Sequence, residues 1–210
     1  MPTDPLIGIL KMPMGNLRSA YNAVYQNGFD SQFVDKDSNL DDLTHLIVPG
    51  VGNFRAVMAH LEEDGGADRV RAFATSGRPV LGVCAGMQLL AERGTEGGDT
   101  PGLGLVHGAI ERLPEDPGHI LPHVGWSPVR FRFNHPVLEG VKPGRDFYFV
   151  HSYALRGARE DEFLGETTYG VPFASIVARD NVIGFQFHPE KSQGNGLKLI
   201  ENFCLWDGRC

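Results

Sequence analysis

The chain is short of cysteine, of basic charge and of long hydrophobic runs. Three cysteines among 210 residues are too few, and odd in number, for a framework of paired disulfides, which favours a reducing compartment. The 19 lysines and arginines are outnumbered by 26 aspartates and glutamates, and the net charge of −7 argues against a nucleic-acid partner.

No stretch of the sequence has the length of a membrane span. The longest uncharged apolar-rich run lies between Arg78 and Glu92, well short of the roughly 20 residues that cross a bilayer. The first ten residues, MPTDPLIGIL, carry an acid and two prolines where a signal peptide has basic residues and an apolar stretch. We therefore expect no membrane contact and a cytoplasmic location.

Glycine and proline are in excess. The 27 glycines and 14 prolines make up about a fifth of the chain, against roughly an eighth in an average protein. They have no collagen-like period, and a hydrophobic content of 41% is too high for a disordered chain. This composition favours many tight turns and close backbone approaches. The length of the chain predicts one domain over residues 1–210, and no repeat or linker divides it.

The first half alternates apolar runs with amphipathic stretches. Four runs are predicted to be strands: Leu6–Leu10, Phe29–Val34, His45–Val48 and Pro79–Val83. Helical spacing follows three of them: a helix capped by Asn16 and stopped by Gly28, one that ends near Gly65-Gly66, and one that contains Met87 and Leu90. This alternation indicates βαβ units and a parallel sheet.

The second half has less helix. Four further strands are predicted, separated by Gly, Pro and Asn turns: Ile120–Phe133, Phe147–Leu155, Phe173–Ala178 and Val182–Phe187. A terminal helix is predicted around Leu197–Phe203. The fold class is therefore α/β, one domain whose mixed sheet has an antiparallel extension.

Cys84 lies between Gly82 and Gly86 where a buried strand meets a helix. Glycines on both sides of a potential nucleophile are the pattern of a nucleophile elbow, a turn too sharp for flanking side chains. The following helix would place its N-terminal dipole near the thiol. The alternative is a buried cysteine at a glycine-rich strand end.

His188 and Glu190 follow a predicted apolar strand in the segment FHPE. A catalytic thiol needs a base, and the base needs an acceptor that fixes its tautomer, so the two side chains supply both. The alternative is a loop histidine beside a surface glutamate.

The third candidate is the turn Pro49-Gly50-Val51-Gly52, which also follows a strand. Its glycines allow a backbone N–H to point at a developing oxyanion, although an ordinary glycine-rich turn has the same pattern. Three such sites at strand ends favour catalysis, because ligands bind at the carboxyl ends of parallel strands.

Five segments, LIVPGVGNF, PVLGVCAGMQLL, HVGW, FYFVHSY and GFQFHPEKS, occur in this order between Met14 and Phe203. Together they resemble the triad-type, class I glutamine amidotransferases. Within this family they most resemble the glutaminase subunit of imidazole glycerol phosphate synthase, from histidine biosynthesis. The resemblance implies a three-layer α/β/α, flavodoxin-like domain.

The resemblance also implies roles for individual residues. Cys84 would attack the side-chain amide of glutamine, with His188 as base and Glu190 orienting the imidazole ring. The oxyanion would be held by the N–H of Ala85 and by a peptide N–H of the turn that contains Val51 and Gly52. The glutamine would be bound by residues from several segments: Gly50, Gly52, Gln88, Ser152, Tyr153 and, for its α-amino group, Glu96. Gln88 facing solvent and Tyr153 packing in the sheet are the alternatives for those two residues.

The implied reaction needs no cofactor and no metal, and the histidines have no spacing typical of a metal site. No region resembles a synthase domain, so we expect the ammonia to be used by a second polypeptide. In the family this partner is a (β/α)8 cyclase subunit, which implies a heterodimer. His123 and Trp126 are expected at the partner interface or in the core, and Cys204 and Cys210 are assigned no role.

The sequence departs from the family at two points. Lys11-Met12-Pro13 replaces the usual Asp-Tyr-Gly, and Ala85 replaces a more usual leucine. Three other functions remain open. A paralogous subunit would supply ammonia to a synthase that amidates surface sugars. A cysteine peptidase or γ-glutamyl hydrolase would have a related fold, and a non-catalytic binding module would lack an intact triad.

Overall fold

The computed structural model describes residues 4–12, 16–63, 65–115 and 117–209. Within these ranges there are five α-helices: α1 Leu17–Gln26, α2 Phe54–Glu63, α3 Gly66–Thr75, α4 Ala85–Leu89 and α5 Gln193–Leu205. Two single-turn 3-10 helices span Pro136–Leu138 and Pro189–Lys191. The strands are β1 Leu6–Leu10, β2 Asp30–Val34, β3 His45–Gly50, β4 Val80–Cys84, β5 Arg93–Gly94, β6 Thr100–Pro101, β7 Ala109–Arg112, β8 His123–Phe131, β9 Arg145–His151, β10 Tyr153–Arg156, β11 Phe163–Tyr169, β12 Val171–Arg179 and β13 Val182–Phe185.

Five strands form the parallel half of the sheet, in the order β2-β1-β3-β4-β13. This is the 2-1-3-4-5 order of flavodoxin-like, doubly wound folds. β3 and β4 are buried along their whole length, as strands covered on both faces are. The carboxyl ends of β3, β4 and β13 therefore lie side by side at one edge of the sheet.

Helices cover both faces of this half. On one face, Val24 of α1 and Phe203 of α5 share an apolar cluster with Ile47 of β3. On the other face, Phe73 of α3 packs in a cluster with Val48, the next residue of the same strand. Adjacent residues of a strand point to opposite faces, so the apolar run of β3 supplies both cores. The predicted three-layer α/β/α architecture with a mixed sheet is confirmed.

The antiparallel extension begins at β13. β12 pairs antiparallel with β13, β11 with β12, and β8 with β11, and β9 is the antiparallel partner of β8. A second branch continues from β12 through β10, β7 and β5 to β6. The extension brings residues 123–151 next to the parallel half.

The observed elements differ from the predicted ones in several places, and the short strands β5, β6 and β7 are among the elements that were not predicted. The pair Gly65-Gly66, predicted to end a helix, is a break followed by a second helix, α3, and Gly65 has a φ of +66°. The predicted strand Phe147–Leu155 is divided at Ser152, because β9 pairs with β8 whereas β10 pairs with β7 and β12. β11 was not predicted, since register shifts on both sides of Gly165 interrupt its alternation.

Smaller differences concern the ends of elements. Asn16 precedes α1 as predicted, but its side chain makes no capping hydrogen bond. β8 begins at His123 instead of Ile120, and β13 ends at Phe185, two residues before the predicted end. No helix in the described ranges is both long and apolar enough to cross a membrane.

Candidate active site

Cys84 is the last residue of β4, and α4 begins at the next residue. Its backbone has a φ of +54°, a region that residues other than glycine rarely adopt. A Cβ at Gly86 would lie 1.8 Å from the carbonyl oxygen of Val48, and one at Gly82 would lie 2.7 Å from that of Gly86. The two glycines are therefore required by backbone contacts, as a nucleophile elbow demands. The Cys84 side chain lies at the carboxyl edge of the parallel sheet.

His188 and Glu190 follow β13, the neighbour of β4 in the sheet. Nδ1 of His188 lies 2.8 Å from Oε1 of Glu190, and both side chains are at least 95% buried. Since a carboxylate only accepts, Nδ1 donates this hydrogen bond, and Nε2 is the ring nitrogen that can take part in proton transfer. Nε2 is buried and has no hydrogen-bond partner among the described residues.

The electrostatics of His188 favour its charged form. Burial lowers the pKa of His188, but interactions with the side chains of Cys84 and Glu190 outweigh this and raise it to about 9. At neutral pH the imidazole therefore holds a proton beside Cys84. A protonated imidazole at this position can stabilise negative charge on the sulfur.

The turn Pro49–Gly52 lies beside the elbow. Gly50 is opposite Cys84 in the pairing of β3 with β4, and a Cβ at Gly50 would lie 2.8 Å from the backbone N of Gly86. Gly52 has a φ of +120°, so the turn requires glycine there. Gly50 and Val51 line a small cavity together with His188 and Glu190. The predicted oxyanion residues of this turn and Ala85, at the start of α4, are therefore close to the candidate triad.

Among the predicted glutamine-binding residues, Gln88 is buried on α4 rather than facing solvent. Its Nε2 donates to the carbonyl oxygen of Tyr153, at 2.9 Å, and to Oε1 of Gln186, at 3.1 Å. No described residue donates a hydrogen bond to its Oε1. Ser152 and Tyr153 are half-buried at the junction of β9 and β10, and Tyr153 also packs against the core.

Glu96 is placed differently. Its Oε2 accepts a hydrogen bond of 2.8 Å from the backbone N–H of Phe54, the first residue of α2. The carboxylate thus satisfies a free N–H at the N-terminus of this helix, directly after the turn that ends at Gly52. In this structure Glu96 supports the turn, and its predicted contact with an α-amino group stays a prediction.

Comparison with known proteins shows the family to which the chain belongs. A model of the class-I glutamine amidotransferase family matches residues 13–206. The chain belongs to this family. It is 42% identical over 202 residues to the imidazole glycerol phosphate synthase subunit HisH of Wolinella succinogenes, which covers 95% of this chain and 98% of the relative. It is 43% identical to the subunit HisH of Desulfitobacterium hafniense, over 96% of this chain and 94% of the relative.

Two solved structures have the same fold as this amidotransferase. PurLQS from Thermotoga maritima has a TM-score of 0.76 and 22% identity, over 97% of this chain and 98% of the other. A glutamine amidotransferase crystal structure has a TM-score of 0.74 and 24% identity, over 95% and 99%. The resemblance that the five sequence segments indicated is confirmed at the level of family and fold.

One polar residue of the candidate site was not predicted. Gln186 is fully buried after β13, and its Nε2 lies 4.0 Å from the Sγ of Cys84. Its Oε1 accepts from Gln88, so the amide must direct its NH2 group toward the sulfur. The signal was present, because Gln186 lies in the segment GFQFHPEKS, but no motif rule assigns a role to this position.

The other residues singled out in the sequence lie as follows. Lys11 forms an ion pair with Asp35 at 2.8 Å, and Met12 is buried; Pro13, Met14 and Cys210 lie outside the described residues. Cys204 is buried in the core, and burial raises the pKa of its thiol to about 12, so it is unreactive. In the described parts of this amidotransferase, no group of three or more His, Cys, Asp or Glu is arranged to hold a metal ion.

Proposed function

We propose that this chain is the glutaminase subunit of an imidazole glycerol phosphate synthase. It hydrolyses glutamine to glutamate and ammonia, and the ammonia passes to a (β/α)8 cyclase subunit that acts in histidine biosynthesis. The observation that carries the glutaminase activity is the meeting of Cys84 with the buried His188–Glu190 pair at the carboxyl edge of the sheet. The choice of pathway is supported by relatives at 42% and 43% identity over nearly the whole chain.

The first step is attack on the side-chain amide. The Cys84 proton is held on Nε2 of His188, and the thiolate sulfur forms a bond to Cδ of the glutamine. Glu190 accepts from Nδ1 and stabilises the imidazolium in this orientation. The negative charge that develops on the amide oxygen is met by the N–H of Ala85 and by an N–H of the turn Gly50–Gly52. Backbone N–H groups aimed at such a charge stabilise it electrostatically.

The second step releases ammonia. The imidazolium of His188 gives its proton to the departing amine, the C–N bond breaks, and a γ-glutamyl thioester remains on Cys84. Water then attacks the thioester carbonyl and transfers a proton to His188. The C–S bond breaks, glutamate leaves, and the thiolate–imidazolium pair is restored.

The glutamine side chain is recognised from the β4–α4 and β9–β10 segments. Gln88 holds its amide fixed by two hydrogen bonds, so its Oε1 is oriented to accept from a substrate N–H. We infer that Ser152 and Tyr153, at the junction of β9 and β10, contact the same glutamine.

An exposed apolar surface supports a partner subunit. Val124 and Trp126 point to the same side of β8 and are 56% and 47% exposed, and Ile120, just before the strand, is 75% exposed. We call these three residues the docking face. Exposed apolar clusters of this kind mark sites of protein–protein contact. We infer that the cyclase subunit binds this face, because the face lies next to the site that releases ammonia.

The docking face is connected to His188 by short contacts. The ring of Trp126 lies 5.9 Å from that of Tyr148 on β9, and the backbone N–H of His188 donates to the carbonyl of Tyr148 at 2.9 Å. Ammonia released at His188 is protected from water only if a partner subunit covers the path by which it leaves the site. Protonation in water would otherwise convert it to ammonium, which is not a nucleophile.

Glutamine turnover by the purified chain tests the proposal. It is measured alone, with the cyclase subunit, and with the cyclase plus its phosphorylated substrate. Stimulation by that substrate is expected for the histidine pathway. Stimulation only by a synthase that amidates sugars would contradict the pathway but not the glutaminase, and cleavage of peptides without glutamine turnover would contradict both. The reaction is expected in the cytoplasm.

A further inference from the structure

Two buried histidines beside the candidate triad have no part in the reaction described above. His123 begins β8 and His151 ends β9, and the two residues are directly opposite each other in the pairing of these strands. Nδ1 of His123 lies 3.0 Å from Nε2 of His151, and both residues are at least 94% buried. Buried polar groups of this kind cost free energy unless every hydrogen bond is satisfied.

The direction of each hydrogen bond follows from the last acceptor of the series, the carbonyl oxygen of Tyr153. Nδ1 of His151 lies 2.8 Å from the carbonyl oxygen of Tyr153, which can only accept, so this nitrogen carries the hydrogen. Burial lowers the pKa of His151 to about 3 and that of His123 to about 4, so both rings are neutral and carry one N–H each.

The rest of the assignment is then determined. Nε2 of His151 accepts, and Nδ1 of His123 donates to it. Nε2 of His123 must accept, and its partner is the hydroxyl of Ser127 at 2.9 Å. Ser127, His123 and His151 therefore form a one-directional series of donors that ends on the backbone of Tyr153.

Packing holds the first ring in place. The His123 ring stacks with that of Phe149, at 4.9 Å, and with that of Tyr169, at 4.1 Å, with interplanar angles of 21° and 20°. Ser127 reaches it across Gly125, which has no side chain and has a φ of +139°. The ring can therefore neither turn over nor leave without displacing two aromatic side chains.

The same carbonyl continues the series to the nucleophile. Tyr153 O accepts from His151 and also from Nε2 of Gln88, at 2.8 and 2.9 Å. Gln88 also donates to Gln186, whose NH2 group faces the sulfur of Cys84 at 4.0 Å. A shift of the Tyr153 carbonyl would change the orientation of both amides.

We propose that His123 and His151 are positioning residues that, with Ser127, fix the Tyr153 carbonyl and thereby the amides of Gln88 and Gln186 at the glutamine site. The proposal rests on the proposed function, because glutamine hydrolysis is the reaction that the amides serve. Ser127 is the chain neighbour of Trp126, so the hydrogen-bond series that leads to the nucleophile begins next to the docking face.

The hydrogen-bond series is tested first without any reaction. Nitrogen-15 NMR of the histidine rings in the wild-type chain at pH 7 distinguishes neutral Nδ1–H rings, neutral Nε2–H rings and imidazolium. We expect two neutral Nδ1–H rings, assigned to His123 and His151 by their loss in single variants. An Nε2–H ring or an imidazolium at either position would overturn the proposal, whatever the protein catalyses.

The positioning role is tested by two variants of one residue, assayed with the cyclase subunit. His151→Asn keeps an N–H in the place of Nδ1, whereas His151→Leu fills a similar volume with no donor. We expect His151→Leu to raise the KM for glutamine about tenfold, as the loss of one buried hydrogen bond does, with a smaller change in kcat. His151→Asn is expected to stay within about threefold of the wild type.

The outcomes separate this proposal from the function on which it rests. Equal KM values for the two variants, or a KM of His151→Leu equal to that of the wild type, would overturn the positioning role. Absence of glutamine turnover by the wild type would overturn the proposed function and, with it, the positioning role. If His151→Leu does not fold, His123→Leu replaces it, with the same expected rise in KM.

Discussion

At the scale of single residues, the site depends on a cysteine in an unfavourable backbone conformation. A φ of +54° at a residue other than glycine costs of order 1–3 kcal/mol, and this cost is borne by the packing of β4 and α4 around it. Gly82 and Gly86 allow that packing, because any side chain at either position would meet backbone atoms. The conformation places the sulfur beyond the strand end, toward His188.

Replacing the nucleophile separates chemistry from stability. Cys84→Ser is expected to lower glutamine turnover by roughly 10³-fold or more, because a serine hydroxyl beside His188 is a far weaker nucleophile than a thiolate. Cys204→Ala is the control, since Cys204 is also buried but has no role in the proposed reaction. Steady-state kinetics and unfolding by denaturant check both variants. Retained turnover in Cys84→Ser would contradict the mechanism.

The pKa of His188 predicts the alkaline side of the pH profile. Because this pKa is raised to about 9, the ring keeps the proton that it must give to ammonia until the pH approaches that value. We expect kcat/KM for glutamine to fall as the pH rises through about 9. Glu190 is one of the groups that raise the pKa, so Glu190→Gln should move this fall to lower pH by about one unit. A fall at unchanged pH would show that Glu190 does not act through His188.

At the scale of elements, the close contact of β3, β4 and α4 predicts a sharp sensitivity to one methyl group. Gly86→Ala is expected to destabilise the fold by about 3 kcal/mol or more, because the new Cβ would lie 1.8 Å from the carbonyl oxygen of Val48. Gly194→Ala in α5 is the control, since nothing lies within 4 Å of its Cβ position. Its stability should stay within about 1 kcal/mol of the wild type. Equal losses in the two variants would contradict the contact.

The parallel half of the fold was predictable from the sequence for a physical reason. Its strands are buried on both faces, so β1 and β3 are plain apolar runs bounded by turns. The extension was less predictable, because its strands change partners along their length. Residues 147–155 form one apolar run, and only the pairing of β9 with β8 and of β10 with β7 divides it at Ser152.

The candidate site likewise has residues that the sequence predicts and residues that only the fold brings together. Cys84, His188 and Glu190 lie in short segments whose spacing indicates their chemistry. His123 and His151 are 28 residues apart, and only the register of β8 against β9 brings their rings together. Glu96 also lies in a loop whose position depends on the fold, which explains why its contact with α2 was not predicted.

At the scale of the whole molecule, buried histidines predict how stability depends on pH. Burial lowers the pKa of four histidines below the ordinary value of 6.5: His45, His123, His135 and His151. The unfolded chain therefore binds protons that the folded chain does not as the pH falls from 6.5 toward about 4. The free energy of unfolding should fall in this window, by up to about 1.4 kcal/mol per pH unit for each residue, and should change little from these groups above 6.5.

His135→Asn isolates one of the four contributions. The asparagine oxygen can replace Nδ1 as the acceptor from the N–H of Val137, but it does not titrate. When the free energy of unfolding is measured with denaturant between pH 4.5 and 7, its slope against pH should be shallower for the variant than for the wild type. Lost packing against Trp206 would lower its stability equally at every pH. An unchanged slope would contradict the assignment of this titration to His135.

The docking face predicts how the subunits associate. Trp126→Ala is expected to weaken binding of the cyclase subunit by at least about 2 kcal/mol, the effect of removing a central aromatic residue from an interface. Tyr25→Ala is the control, because Tyr25 is also exposed, at 68%, but lies on α1. Titration calorimetry checks both variants. Equal effects of the two would place the interface elsewhere.

The order of the strands also determines when activity arises during synthesis. Cys84 ends β4, but His188 follows β13, and β13 occupies the position between β4 and β12 in the sheet. A nascent chain that has emerged only as far as β12 therefore carries the nucleophile without its base. Under the proposed mechanism, hydrolysis of glutamine begins only after β13 has joined the sheet and His188 has reached Cys84, so a partly made chain consumes no glutamine.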